Sequence, residues 1–183
     1  MLPSDPIRML LLEHDDPGNL ERPADFDLEA AGTRFTRLVR AFEERFGPSC
    51  STGLGQDASF YGVIDVPADT TGLGRPLHAM MSNFGGYFVT ARVEDGEGLP
   101  GGSEGLTEEL TTWLNGVCTV MGCTFVPDGL LREPYRGPSR LPAAADVELA
   151  AVLVAAEVAE EEEGEDEGES GKADWYDRYF EYM

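Results

Sequence analysis

The sequence predicts an α+β fold: a three- to four-stranded antiparallel sheet with two amphipathic helices packed on one side. Three observations carry this. Leu28, Ala31, Phe35, Leu38, Val39, Phe42 and Phe46 recur at spacings of three and four, the stripe of a helix. Asp57 to Val66 alternates with period two and is followed by two apolar runs joined at Gly85-Gly86. A second helical stripe, Leu106, Leu110, Trp113, Leu114, Val117 and Met121, precedes a last short apolar run. Helix, strands, helix, strand is the order of an open sheet with helices on one face.

Taken in order, residues 1–24 hold four prolines around one apolar run, Ile7 to Leu12, short enough to be either a strand or a turn of helix. The first predicted helix is opened by Asp25 or Asp27 and closed by Gly47-Pro48. Its outer face carries Arg34, Arg37, Arg40, Glu43, Glu44 and Arg45. That face is either a solvated surface laced with local Arg–Glu pairs or a platform for the acidic tail. Gly53-Leu-Gly-Gln-Asp-Ala58 has the spacing of a dinucleotide fingerprint but leads into a strand rather than a helix, so it reads as a turn. Three strands follow, 57–66, 77–84 and 87–93, the last two joined by a glycine hairpin. Ser103 or Thr107 caps the second helix, and Cys123 to Val126 supplies a fourth strand.

The single α+β domain is expected to span 1–142. Residues 143–171 form an Ala/Glu-rich helix that runs into a mobile acidic tether, and 172–183 an aromatic C-terminal peptide ending in a short helix. Trp175, Tyr179 and Tyr182 would share one face of that helix. Five aromatics in the ten residues from Asp174 to Met183 are too many to leave in water, so the peptide must dock, either on its own domain or on a partner.

The chain of 183 residues carries 35 acidic and 13 basic residues, a formal net charge of -22, while 42% of it is apolar. A core is therefore available, and the charge sits on the surface. Such a field repels phosphate and anionic lipid but attracts a basic protein surface. This argues against direct nucleic-acid or membrane contact and for a basic protein partner. No apolar run approaches the length of a membrane span, and no secretion signal is visible. Three cysteines, Cys50, Cys118 and Cys123, do not make a disulfide framework and suggest a reducing, cytoplasmic setting.

No catalytic, cofactor or metal signature emerges. His14-Asp15-Asp16 offers ligand types but adjacent residues cannot easily converge on one ion. Cys118 and Cys123 are too far apart for a C-x-x-C pair. His78 with Asp57 or Asp65 is the one base system that a hydrolase could use. The expected activity is binding without catalysis. Trp175, Tyr176, Tyr179, Phe180 and Tyr182 would be the anchors, with Glu161, Glu162 and Glu163 as a negative rim. In size, charge and class the chain resembles the small acidic inhibitors that bacteria use as immunity proteins against basic toxin domains. The resemblance implies carboxylates that imitate substrate phosphates or cover a cationic active site. Two alternatives stand beside it: an assembly or adaptor subunit that docks through its C-terminal peptide, and an unrecognised hydrolase.

Overall fold

A computed structural model describes residues 4–55, 58–93, 106–138 and 173–181. The chain begins with α1 (Ser4–Glu13), which resolves the first apolar run as helix. Next comes α2 (Leu28–Phe46). Asp27 caps it, its side chain accepting from the Ala30 amide at 2.9 Å, and Gly47 at φ 94° ends it. Five of its seven apolar stripe residues are buried, and Val39 is half-buried. Leu28, at the first turn, is 65% exposed.

The sheet is α+β in class but mixed, and it has five strands: β1 (Ser51–Leu54), β2 (Phe60–Val66), β3 (Leu77–Ser82), β4 (Phe88–Val93) and β5 (Thr124–Phe125), in that spatial order. The first four are antiparallel, whereas β5 runs parallel to β4. Two expectations are corrected here. Gly53 lies in an edge strand paired with Val63 of β2, not in a turn. The last strand cannot be antiparallel to β4, because α3 (Glu108–Met121) carries the chain back across the sheet before β5 begins. Thr107 caps α3, and Gly122 ends it in the left-handed conformation at φ 69°.

The expected one-sided layer is also corrected, since helices cover both faces. On one face Ile64, Val66, Leu77, Ala79, Met81, Val89, Ala91 and Val93 meet the buried stripes of α2 and α3. On the other, Met80, Phe84, Phe88 and Val126 meet Ile7 and Leu11 of α1. That second core is completed by α4 (Asp128–Leu131) and by α5 (Trp175–Phe180), the helix of the C-terminal peptide. The domain expected to end at Pro142 thus takes its last helix from the far end of the chain. The Ala/Glu-rich helix and acidic tether expected over 143–171 lie outside the described residues.

Gly85 turns the β3–β4 connection at φ 67°, and a Cβ there would land on the ring of Phe88, itself fully buried. Gly85→Ala should therefore cost about 1–3 kcal/mol or more in urea unfolding, from the left-handed backbone together with displacement of that ring. A cost near zero would mean that the turn is not fixed as described.

Candidate functional site

The C-terminal helix was the leading site expected from sequence, and its surroundings can be built residue by residue. Asp174 and Asp177 form a reciprocal cap: the Asp177 amide donates to Asp174 Oδ1 at 2.9 Å, and the Asp174 amide to Asp177 Oδ2 at 2.8 Å. Ahead of the cap the chain is zipped to the segment after α4. The Tyr135 amide donates to the Ala173 carbonyl at 2.8 Å, and Pro134 pairs with Asp174. The helix therefore starts at a defined place, although a helix of this length has little stability of its own.

Trp175, Tyr176, Tyr179 and Phe180 are all buried within this chain. Tyr179 packs edge-on against Phe84 and Phe88, with centroids 5.6 and 5.1 Å away, and its hydroxyl donates to the Leu11 carbonyl. Tyr135 packs edge-on against Trp175 at 4.7 Å. The Tyr176 ring lies under the Arg132 guanidinium at 4.0 Å and near that of Arg92 at 5.4 Å. Each such side chain contributes on the order of 1.5–3 kcal/mol when fully buried. Of the expected face, Trp175 and Tyr179 are buried, and so are Tyr176, Arg178 and Phe180 around the rest of the helix. Tyr182, Glu161, Glu162 and Glu163 lie outside the described residues.

Sequence reasoning missed the residue that fixes this docking. Arg178, fully buried, points its Nε at Asp15 Oδ1 at 2.6 Å, and Asp15 is equally buried. Three of its remaining four N–H groups donate to the carbonyls of Leu20 at 3.1 Å, Asp16 at 3.1 Å and Asn19 at 3.3 Å. The guanidinium also stacks 4.3 Å from the Phe84 ring centre, and the Tyr135 hydroxyl donates to the other Asp15 oxygen. The one available signal was a lone Arg inside an aromatic peptide, which cannot be buried without a carboxylate.

The same packing engages each residue of His14-Asp15-Asp16. Asp15 faces Arg178. Asp16 holds the following loop, accepting from the Asn19 side chain at 3.0 Å and the Gly18 amide at 3.0 Å, and these hydrogen bonds keep its carboxyl below the usual range. His14 sits edge-on to Phe88 at 5.8 Å. Among the described residues no group of three or more His, Cys, Asp or Glu side chains could hold a metal. Cys50, Cys118 and Cys123 are free, and burial pushes all three thiols up, away from the reactive thiolate.

His78 does meet Asp65, with Nδ1 2.6 Å from Oδ1 across the β2–β3 register, whereas Asp57 lies outside the described residues. The neighbouring hydroxyl, Ser51, donates to Asp65 at 3.5 Å rather than to the imidazole, an order that does not activate a serine. On the α2 face, Arg40 pairs with Glu44 at 2.9 Å, Arg45 pairs with Glu109 at 2.9 Å, and Arg34 lies over Tyr87 at 4.7 Å. Of these, only Arg40–Glu44 is a local pair of the kind anticipated, since Arg45 reaches α3 and Arg34 an aromatic ring. The acidic segment that could have covered it is outside the described residues.

Two adjoining hollows share Phe26 and Asn83. One is lined by Leu28, Leu54, Gly55, Phe60 and Tyr61 as well, the other by His14, Asp25, Gly85 and Tyr87. Neither includes His78. Among the described residues no helix is long and apolar enough to cross a membrane. Comparisons with protein families, with curated proteins and with solved structures find no match to this chain.

Removing one partner of a fully buried ion pair strands the other, so Arg178→Ala should lose about 3–5 kcal/mol in chemical denaturation. The double change Asp15→Leu with Arg178→Met should recover much of that loss, and an equal loss in both variants would show that the charges are not the cause. Asp128 gives a pH prediction. It is buried, its Oδ1 has no hydrogen-bond partner, and burial raises its carboxyl above the usual value despite Arg132 at 3.7 Å. A raised acid binds its proton more tightly when folded, so the charged form costs stability above the folded value and costs nothing below the unfolded one. Asp128→Asn should accordingly raise Tm at neutral pH, and the gain should vanish as pH falls through the window between the raised value and about 3.8.

Proposed function

We infer that this protein acts by binding rather than catalysis, as a cytoplasmic acidic inhibitor of the immunity-protein type that covers a basic surface of a partner protein. The observation that carries the reading is how the chain spends its cations. Arg8, Arg40, Arg45, Arg132 and Arg178 are held in ion pairs, and Arg22, Arg34 and Arg92 lie over aromatic rings. With eight of the twelve arginines so engaged and a net charge of -22, the outward field is dominated by carboxylates. Such a field speeds association with a cationic surface and penalises anionic ones, including nucleic acid.

The adaptor reading, in which the C-terminal peptide anchors a larger assembly, requires α5 to leave a core that it completes. Pulling it out would expose four aromatic side chains and take Arg178 away from Asp15. Truncation after Pro142 is expected to destabilise the domain rather than merely to remove an interaction, visible as a lowered Tm and loss of a cooperative transition.

The test is the salt dependence of association. The full chain, immobilised and exposed to native lysate, should retain basic proteins that are released as ionic strength rises from about 0.1 to 1 M, where the screening length falls from roughly 10 to 3 Å. Partners that remain bound equally well at the upper end, or that are not basic, would overturn the reading.

A further inference from the structure

We propose that the open edge of β1, together with the hollow beside Phe26, is a strand-addition site for an extended cationic segment of the partner protein. The proposal rests on the acidic-binder reading and gives it a place on the molecule.

Among the described residues β1 is an edge of the sheet, with β2 on one side only. The Gly55 amide donates to the Tyr61 carbonyl at 3.0 Å, and the pairing runs on in register through Gly53 with Val63 and Ser51 with Asp65. Alternation along an antiparallel ladder then turns the backbone N–H and C=O of Thr52 and Leu54 away from β2. These are the groups that an added strand would pair with, and edge pairing of this kind supplies affinity through the main chain.

Specificity needs side-chain pockets, and one adjoins the edge. Leu54 and Leu28 are each 65% exposed, and both line the hollow with Phe26, Phe60 and Tyr61. Leu28 is the stripe residue of α2 that the core does not absorb. An apolar side chain from the added strand would give these surfaces the contact that the fold does not.

Charge selects the occupant. Asp25, Asp27 and Glu29 are exposed and flank Phe26 and Leu28, while Arg22, over the Phe26 ring at 5.8 Å, is the cation that lines the hollow. A second copy of this chain would arrive with its own charge of -22, and the segment from Glu157 to Glu169 would arrive with acids alone. Both are repelled. An extended segment that places an apolar residue between Arg or Lys residues is attracted and fits the alternation of a strand.

The test uses the full chain, isotopically labelled, and a short blocked peptide alternating Arg and Val, with an alternating Glu and Val peptide as comparator. The Arg–Val peptide should bind saturably, shifting the amides of Thr52, Leu54 and Gly55 and the side-chain amide of Asn83, and the Glu–Val peptide should not. Thr52→Pro removes an outward N–H and should leave the β1–β2 pairing intact while weakening binding about tenfold or more. Leu54→Ser, which touches no backbone group, should weaken it as well and serves if the proline variant misfolds. Wild-type affinity in both variants would overturn the site while leaving the acidic-binder reading standing. Failure of the Arg–Val peptide to bind the wild-type chain would overturn the site outright, and the acidic-binder reading then stands or falls on the salt dependence of partner capture.

Discussion

The Arg178–Asp15 ion pair joins the two ends of the chain across 163 positions of sequence, with both charges taken fully out of water. Desolvating two ions costs several kcal/mol each, and their attraction repays this only when the remaining donors and lone pairs are also satisfied. Most are here: the Asp16, Asn19 and Leu20 carbonyls accept from three of the other four guanidinium N–H groups, and the Tyr135 hydroxyl donates to the second Asp15 oxygen. Net stability from such a pair is small, whereas the penalty for misplacing either partner is large. Its main effect is positional. The apolar contacts of Trp175, Tyr176, Tyr179 and Phe180 supply the driving force for docking, and the ion pair dictates where and in which orientation the helix lands.

That placement determines the architecture of one whole face of the sheet. Without α5 the second core would consist of α1, α4 and a row of large sheet residues, Met80, Phe84 and Phe88, short of partners. The bidentate contact of Arg8 with Glu133, at 2.8 Å through Nε, fastens α1 to the segment that follows α4, and so closes the same layer from its other side. The opposite face needs no such help, because α2 and α3 bring two continuous apolar stripes to it. One face is thus built from long amphipathic helices and the other from short pieces tied by polar contacts.

The functional reading follows from what this arrangement leaves outside. With the aromatic peptide consumed by the fold and eight of the twelve arginines engaged in pairs and stacks, the described surface presents carboxylates, a strand edge unpaired among the described residues and a hollow between Leu28 and Leu54. Aromatic anchors and acidic charge adjoin in the sequence, yet they serve different ends. The anchors hold the domain together, while the net charge of -22 is what the proposed binding to a cationic partner draws on.

Local pattern was enough for α2, α3 and the β2–β3–β4 meander, and it narrowed each N-cap to two candidates, because side-chain period and capping chemistry act over a few residues. It also sufficed for the statement that the aromatic peptide must be covered. It could not reveal β1, whose four residues carry too little alternation to stand out, nor the parallel direction of β5, which depends on where α3 delivers the chain. Helix or strand for residues 7–12 stayed open because so short an apolar run satisfies both periods. The docking of α5 was undecidable from sequence for a plainer reason. Composition shows that a buried Arg needs a carboxylate and that aromatics need a groove, but with 35 acidic residues to choose from only the tertiary structure selects Asp15. The sequence by itself determined the two long helices, the three-stranded meander and the charge, and the three-dimensional pairing of distant residues decided which surfaces were used up and which were left exposed.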